Sequence, residues 1–106
     1  MSAEYNRWLV DLGRIASVHA SIRGLEEMRD RDLSSELGKL TIPTRIYHGV
    51  HDKVIPFNKA ESLHKLIKGS TLVRCENSGH AIYWDGKDNF VSELEKFAAE
   101  TLAKAA

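Results

Sequence analysis

The sequence is poor in cysteine, carries no excess charge of either sign and lacks a long apolar run. Cys75 is the only cysteine among 106 residues, which excludes an internal disulfide and favours a reducing compartment. The 15 basic side chains balance 15 acidic ones, so no net field draws the chain to nucleic acid or to an anionic membrane surface. Every apolar run is shorter than the roughly 18–20 residues of a membrane span. These absences predict a cytoplasmic domain that binds neither nucleic acid nor membrane.

The first predicted segment, residues 1–40, is helical. Residues 4–22 place apolar side chains at helical spacing, opposite a polar face, which predicts one amphipathic helix with Trp8 on its apolar stripe. Gly24 interrupts this pattern, and only short helical turns are expected between that glycine and residue 40.

The second predicted segment, residues 41–106, alternates strands and helices. Residues 44–48 and Thr71–Cys75 are rich in β-branched and aromatic or apolar side chains, which predicts two short strands. The helix between them is expected to begin at Asn58, as its N-cap, and to end near Gly69. Asp85 or Asp88 is the candidate cap of a closing helix.

A strand, a helix and a second strand of these lengths predict two parallel strands joined by a right-handed crossover. The expected architecture is therefore α/β, with two parallel strands and three to four helices. Two strands make a poor sheet by themselves and leave their edges unpaired. We therefore expect an incomplete sheet that binds a complementary N-terminal chain, or that self-associates through its open strand edge to form an oligomer.

An acid and an imidazole follow the two strands at matching positions. Asp52 comes shortly after the first strand and its turn at Gly49, and His80 follows the second strand and Gly79. Loops that leave the carboxyl ends of neighbouring parallel strands lie at one edge of the sheet, where functional sites of open α/β sheets are found. An aspartate that accepts from His80 Nδ1–H would leave Nε2 free to take a proton from a nucleophile.

These motifs resemble the C-terminal portion of an α/β-hydrolase-fold protein of the esterase and cofactor-free haloperoxidase-like kind. The matching elements are Ile42-Pro43-Thr44 before the first strand, His48-Gly49-x-x-Asp52-x-x-x-Pro56 after it, Ser78-Gly79-His80 after the second strand, and a closing helix with Phe90, Leu94 and Phe97. The resemblance covers residues 37–97 strongly, and the segment before them more loosely.

The resemblance implies that Asp52 is the catalytic acid and His80 the catalytic base of a Ser-Asp-His triad, acting on a small ester or related acyl substrate without a cofactor. The sequence departs from the family in one respect, because it contains no Gly-x-Ser-x-Gly motif. We therefore expect the serine to be supplied from outside these residues, and we expect no activity from this chain alone.

Three aromatic residues are candidates for the substrate pocket. Tyr83 and Trp84 follow the histidine and could line an acyl or leaving-group pocket, although packing explains them equally well. Trp8 is more simply part of the stripe of the first helix, but the corresponding region of the family can border the pocket.

Other functional interpretations of the same residues have less support. His48, His51, Asp52 and His80 do not have the spacing of a known metal site, so no metal is expected. Cys75 reads as a buried strand thiol rather than a nucleophile. The main functional alternative is a non-catalytic module, derived from the hydrolase fold, that uses its open strand edge for interaction.

Overall fold

The computed structural model describes residues 2–105. Its contacts divide the chain into two compact units, Met1–Asp32 and Leu33–Ala106. The domain division drawn from the sequence, at residues 1–40 and 41–106, stays a prediction. None of the helices in the described part of the chain has the length and hydropathy required of a transmembrane segment.

The first unit consists of two helices, α1 (Ala3–Ile15) and α2 (Val18–Asp30). The prediction of a single helix over residues 4–22 is wrong, because the backbone becomes extended at Ala16 and a new helix begins after Ser17. The Ser17 side chain accepts a hydrogen bond from Ala20 N at 3.3 Å and so satisfies a free N–H at the start of α2. Gly24 lies inside α2, where the helix continues through it.

The second unit contains the two strands and four helical segments. In chain order these are α3 (Ser34–Leu37), β1 (Arg45–Gly49), α4 (Phe57–Leu66), β2 (Thr71–Cys75), α5 (Ile82–Asp85) and α6 (Lys87–Ala105). Two of the helical segments, α3 and α5, are single turns of four residues.

The described residues form one two-stranded sheet in which β1 and β2 run parallel. Arg45 pairs with Thr71 at one end of the ladder and Gly49 pairs with Cys75 at the other. Because α4 connects the strands, the carboxyl ends of both strands lie at the same edge of the sheet. The predicted α/β architecture with an incomplete parallel sheet is confirmed.

A small core lies around this sheet. The buried apolar side chains of the described residues are Ile46, Ala60, Ile67 and Cys75. Helix α6 is attached to β1 by Tyr47, whose hydroxyl donates to Glu93 O at 2.9 Å and whose ring meets Phe90 edge-on at 5.6 Å. The sheet therefore has a fixed position relative to α4 and α6, although its core is modest.

The limits of two helices, α4 and α6, differ from the sequence expectations. Pro56, rather than Asn58, occupies the N-cap position of α4, because its φ of −59° already suits a helix start. Gly69 has a φ of +80° and lies in the turn that leads from α4 to β2. Neither Asp85 nor Asp88 precedes the last helix as its cap, since Asp85 belongs to α5 and Asp88 lies inside α6.

Candidate active site

The loop after β1 folds around the carboxylate of Asp52. Asp52 N donates to Gly49 O at 3.2 Å, which turns the chain back immediately after the strand. Oδ1 of Asp52 then accepts hydrogen bonds from Val54 N at 2.8 Å and Ile55 N at 2.9 Å. An aspartate that satisfies backbone N–H groups two and three residues ahead fixes both its loop and its own orientation.

The loops that follow the two strands are joined by their backbones. Val50 N donates to Cys75 O and His51 N donates to Ser78 O, both at 3.1 Å. Gly49 allows this close approach, because a Cβ at this position would overlap the carbonyl oxygens of Gly79 and Ser78. The acid loop is therefore held directly against the histidine loop.

The loop after β2 is closed in turn by α5. Gly79 N donates to Oδ2 of Asp85 at 3.1 Å, which secures the residue immediately before His80. Ser78 N donates to Cys75 O at 3.1 Å and turns the chain at the end of β2. The loop that carries His80 is therefore held at Ser78 and at Gly79, the two residues before the histidine.

These loops bring Asp52 and His80 into contact across 28 residues of sequence. His80 Nδ1 lies 2.9 Å from Oδ2 of Asp52, and because a carboxylate only accepts, Nδ1 carries the proton. The Asp52 side chain is 4% exposed, whereas the His80 side chain is 58% exposed. Nε2 of His80 makes no hydrogen bond to any described residue, so this nitrogen is free to exchange a proton with an incoming group.

Asp52 is ionised in this setting over a wide pH range. Burial by itself would raise the pKa of Asp52, but hydrogen bonds from Ile55 N, His80 and Val54 N, with the charge of His80, lower it from 3.8 to about 2. A permanently ionised, buried carboxylate can orient the imidazole and stabilise its protonated form.

His48 and Asp85 also contribute to this arrangement, and sequence reasoning missed both. From the sequence, His48 has no role beyond its place in the matching motif, and Asp85 is only a candidate helix cap. In the structure, Nε2 of His48 lies 2.9 Å from Ile55 O and 3.4 Å from Oδ2 of Asp52. The available signal was the position of His48 at the end of a strand, four residues before the acid.

The structure places each of the three aromatic pocket candidates on a helix. Tyr83 and Trp84 lie on α5, one helical turn after His80, and both are exposed. Trp8 lies on α1, in the unit Met1–Asp32, and is also exposed. Their contribution to a substrate pocket stays a prediction.

The metal and thiol alternatives find no support in the site. No group of three or more His, Cys, Asp and Glu side chains within residues 2–105 is arranged to hold a metal ion. The Cys75 side chain is buried, and this burial raises the pKa of its thiol, with a further contribution from the charge of Glu93. A protonated, inaccessible thiol is a poor nucleophile.

Comparison with known proteins identifies the class to which this fold corresponds. An esterase of known structure from Exiguobacterium antarcticum superposes with a TM-score of 0.86 at 36% identity, covering 92% of this chain and 36% of that chain. The AB hydrolase superfamily protein YisY of Bacillus subtilis is 36% identical over 98 residues, which cover 92% of this chain and 37% of the relative. The chain therefore resembles the C-terminal portion of an α/β-hydrolase-fold protein, as its motifs predicted.

Other relatives carry more particular names. A proline iminopeptidase of Saccharolobus solfataricus is 41% identical over 70 residues, covering 66% of this chain and 22% of the relative. A pimeloyl-acyl-carrier-protein methyl ester esterase of Neisseria meningitidis serogroup B is 33% identical over 93 residues, covering 88% of this chain and 33% of the relative. No family model matches the sequence. The chain thus spans between 22% and 37% of the length of these curated relatives.

Proposed function

We propose that this chain supplies the acid and the base of a Ser-Asp-His triad that hydrolyses a small ester or related acyl substrate. The contact of 2.9 Å between His80 Nδ1 and Oδ2 of Asp52 carries the proposal, because it leaves Nε2 of His80 available at the carboxyl edge of the sheet. The names of the relatives, which include esterases, support an acyl substrate.

In the proposed reaction, Nε2 of His80 takes the proton of a serine hydroxyl as the serine oxygen attacks the acyl carbon. His80 then gives that proton to the leaving alcohol, whose bond to the acyl carbon breaks. A water molecule repeats the sequence on the acyl-enzyme, releasing the carboxylic acid and restoring the serine. Asp52 stays ionised throughout and stabilises the imidazolium that forms twice in each cycle.

The serine and the donors for the oxyanion would come from a complementary segment. The relatives are about three to five times as long as the region matched here, so a complement is available from them. The open edge of β1 is a suitable place for it to join. Thr44 O and Val50 N both bond to β2. Because alternate residues of a parallel strand direct their N–H and C=O groups to opposite sides, those of Arg45 and Tyr47 point away from β2.

The test is complementation. The chain is mixed with the part of the Bacillus subtilis relative that the match does not cover, and release of nitrophenol from an activated ester is followed. We expect turnover from the mixture and none from this chain alone. Asp52→Asn should lower kcat by roughly 10⁴-fold, and His80→Ala should do at least as much.

His51→Ala is the matched control, because His51 lies in the same loop and its side chain is exposed. This variant should complement as well as the original chain. The proposal fails if the His80→Ala mixture is as active as the original mixture. It also fails if the two parts bind each other tightly and still no ester is hydrolysed.

A second candidate function is a non-catalytic interaction module. The observation that favours it is the sheet itself, in which β1 pairs with β2 alone among the described residues and leaves one edge of backbone groups unpaired. Such a module would bind a partner or a second copy by strand addition. Light scattering over a range of concentrations tests self-association, and Asp52→Ala should leave that association intact. A chain that stays monomeric at high concentration and captures no complement would exclude this candidate.

A further inference from the structure

Two imidazoles approach the carboxylate of Asp52, and the proposed triad uses only one of them. His80 contacts Oδ2 from the histidine loop, whereas His48 approaches the same oxygen from β1, with Nε2 at 3.4 Å. The His48 side chain is 16% exposed, so it is a largely buried part of the site.

The hydrogen bond of His48 defines where its proton lies. Nε2 lies 2.9 Å from Ile55 O, and a backbone carbonyl can only accept, so Nε2 is the protonated nitrogen. The positive end of the same N–H dipole is near Oδ2 of Asp52. His48 therefore joins the last residue before Pro56 to the strand and places a donor beside the carboxylate.

The imidazole of His48 is held in this orientation by aromatic packing. The His48 ring meets the ring of Phe57 edge-on, with centroids 5.8 Å apart. The guanidinium of Arg74 lies over the Phe57 ring, 4.4 Å from its centroid. Phe57 is the first residue of α4, so the stack connects β1, α4 and β2. The contact with Phe57, which is itself covered by Arg74, limits rotation of the His48 ring.

We propose that His48 is a positioning residue of the site: its Nε2–H fixes the Asp52 loop to β1 and so keeps Oδ2 directed at His80. Backbone donors already hold Oδ1 from within the loop. Backbone bonds hold the near end of the loop against the strands, and His48 ties its far end, at Ile55, to β1. The inference rests on the proposed function, since the direction of Oδ2 matters to a reaction only if His80 acts as the base.

The test reads the tautomer of His80 in the chain itself, by two-bond ¹H–¹⁵N correlation in alkaline buffer. Contact with Asp52 holds the proton on Nδ1, and loss of that contact lets it distribute between the two nitrogens. In the original chain His80 should be mainly the Nδ1–H form. His48→Leu should raise the population of the Nε2–H tautomer of His80 several-fold, because no donor then ties Ile55 to the strand.

A pair of amide variants separates positioning from packing. The Gln amide nitrogen can take the place of Nε2, so His48→Gln should keep the original tautomer of His80. His48→Asn is equally polar but too short to reach Ile55 O, and should behave like His48→Leu. His51→Leu removes an exposed imidazole from the same loop and should change nothing.

The proposal is overturned if His48→Leu or His48→Asn lowers the unfolding temperature yet leaves the tautomer of His80 unchanged, since His48 would then be structural only. It is also overturned if His48→Gln alters the tautomer as much as His48→Asn does. Neither result depends on complementation, so a failure of ester hydrolysis would count against the triad and leave this measurement intact.

Discussion

At the scale of single residues, the Asp52 carboxylate is the most constrained group of the site. Backbone donors meet one of its oxygens and imidazoles approach the other, while the side chain is 4% exposed. This environment favours the ionised form so strongly that it affects the stability of the fold as well as the chemistry.

The first prediction concerns acid stability. The pKa of Asp52 is about 2 in the folded chain against an ordinary value of 3.8, so its ionised form stabilises the fold above the ordinary pKa. That contribution, up to about 2 kcal/mol, should be lost as the pH falls from about 4 through about 2. Urea unfolding at several pH values should show this loss, and Asp52→Asn should remove it.

Asp88→Asn is the control for this titration, because Asp88 is an exposed carboxylate of the same unit. The free energy of unfolding of the Asp88→Asn chain should depend on pH in the same way as that of the original chain. An Asp52→Asn chain with the same acid dependence as the original would refute the assignment.

The second prediction concerns the loop that carries His80. Asp85→Ala removes the acceptor of the 3.1 Å hydrogen bond from Gly79 N, which should destabilise the loop by about 1 kcal/mol. Amide hydrogen exchange at Gly79 should quicken several-fold. Asp88→Ala, which removes a carboxylate from the neighbouring helix, should leave this amide unaffected. Unchanged exchange in Asp85→Ala would show that the bond does not hold the loop.

The sequence predicted that Asp52 and His80 would meet, but it did not predict the residues that support their contact. Asp52 and His80 stand out because each follows a strand, and the geometry of parallel strands brings such residues to one edge. His48, on β1, and Asp85, on α5, each hold a loop through one hydrogen bond to its backbone, and such contacts have no periodicity that a sequence displays. Their roles depend on loop conformations that only coordinates provide.

At the scale of secondary-structure elements, Gly49 controls how closely the two strand ends approach. The third prediction is that Gly49→Ala lowers the free energy of unfolding by several kcal/mol, because the added methyl group would overlap the backbone of Ser78 and Gly79. Gly38→Ala is the control, since only Leu66 O lies within 4 Å of a Cβ there, at 3.9 Å. Denaturant unfolding compares the two, and equal stability would contradict this view of Gly49.

The elements were predictable to different degrees. β2 has the predicted limits, Thr71–Cys75, and β1 differs by one residue at each end. Pro43 and Gly49 mark the limits of β1, and Gly69 precedes β2. The first helix was drawn through Ser17, because the apolar stripe continues on both sides of this N-cap. The periodicity of apolar residues indicates which face of a helix is apolar, but it does not indicate where one helix ends and the next begins. The single turn α5 is too short to have a period at all.

At the scale of the whole molecule, the contacts separate Met1–Asp32 from Leu33–Ala106. The fourth prediction is that a chain beginning at Leu33 retains the Asp52–His80 contact, because both residues and every support named above lie in the second unit. The Nδ1–H tautomer of His80 should persist in this shorter chain. Its loss, in a chain that still shows helical circular dichroism, would mean that the first unit helps to form the site.

The backbone bonds between the two loops have a practical consequence. His80 and Asp52 are only 28 residues apart in sequence, and the residues that support their contact belong to the same stretch of chain. Under the proposed function, a cut made upstream of β1 in a longer hydrolase divides the machinery into one half that keeps the aspartate–histidine pair assembled and another that keeps the nucleophile. A split reporter enzyme needs that property, because reunion then restores the chemistry without refolding the pair.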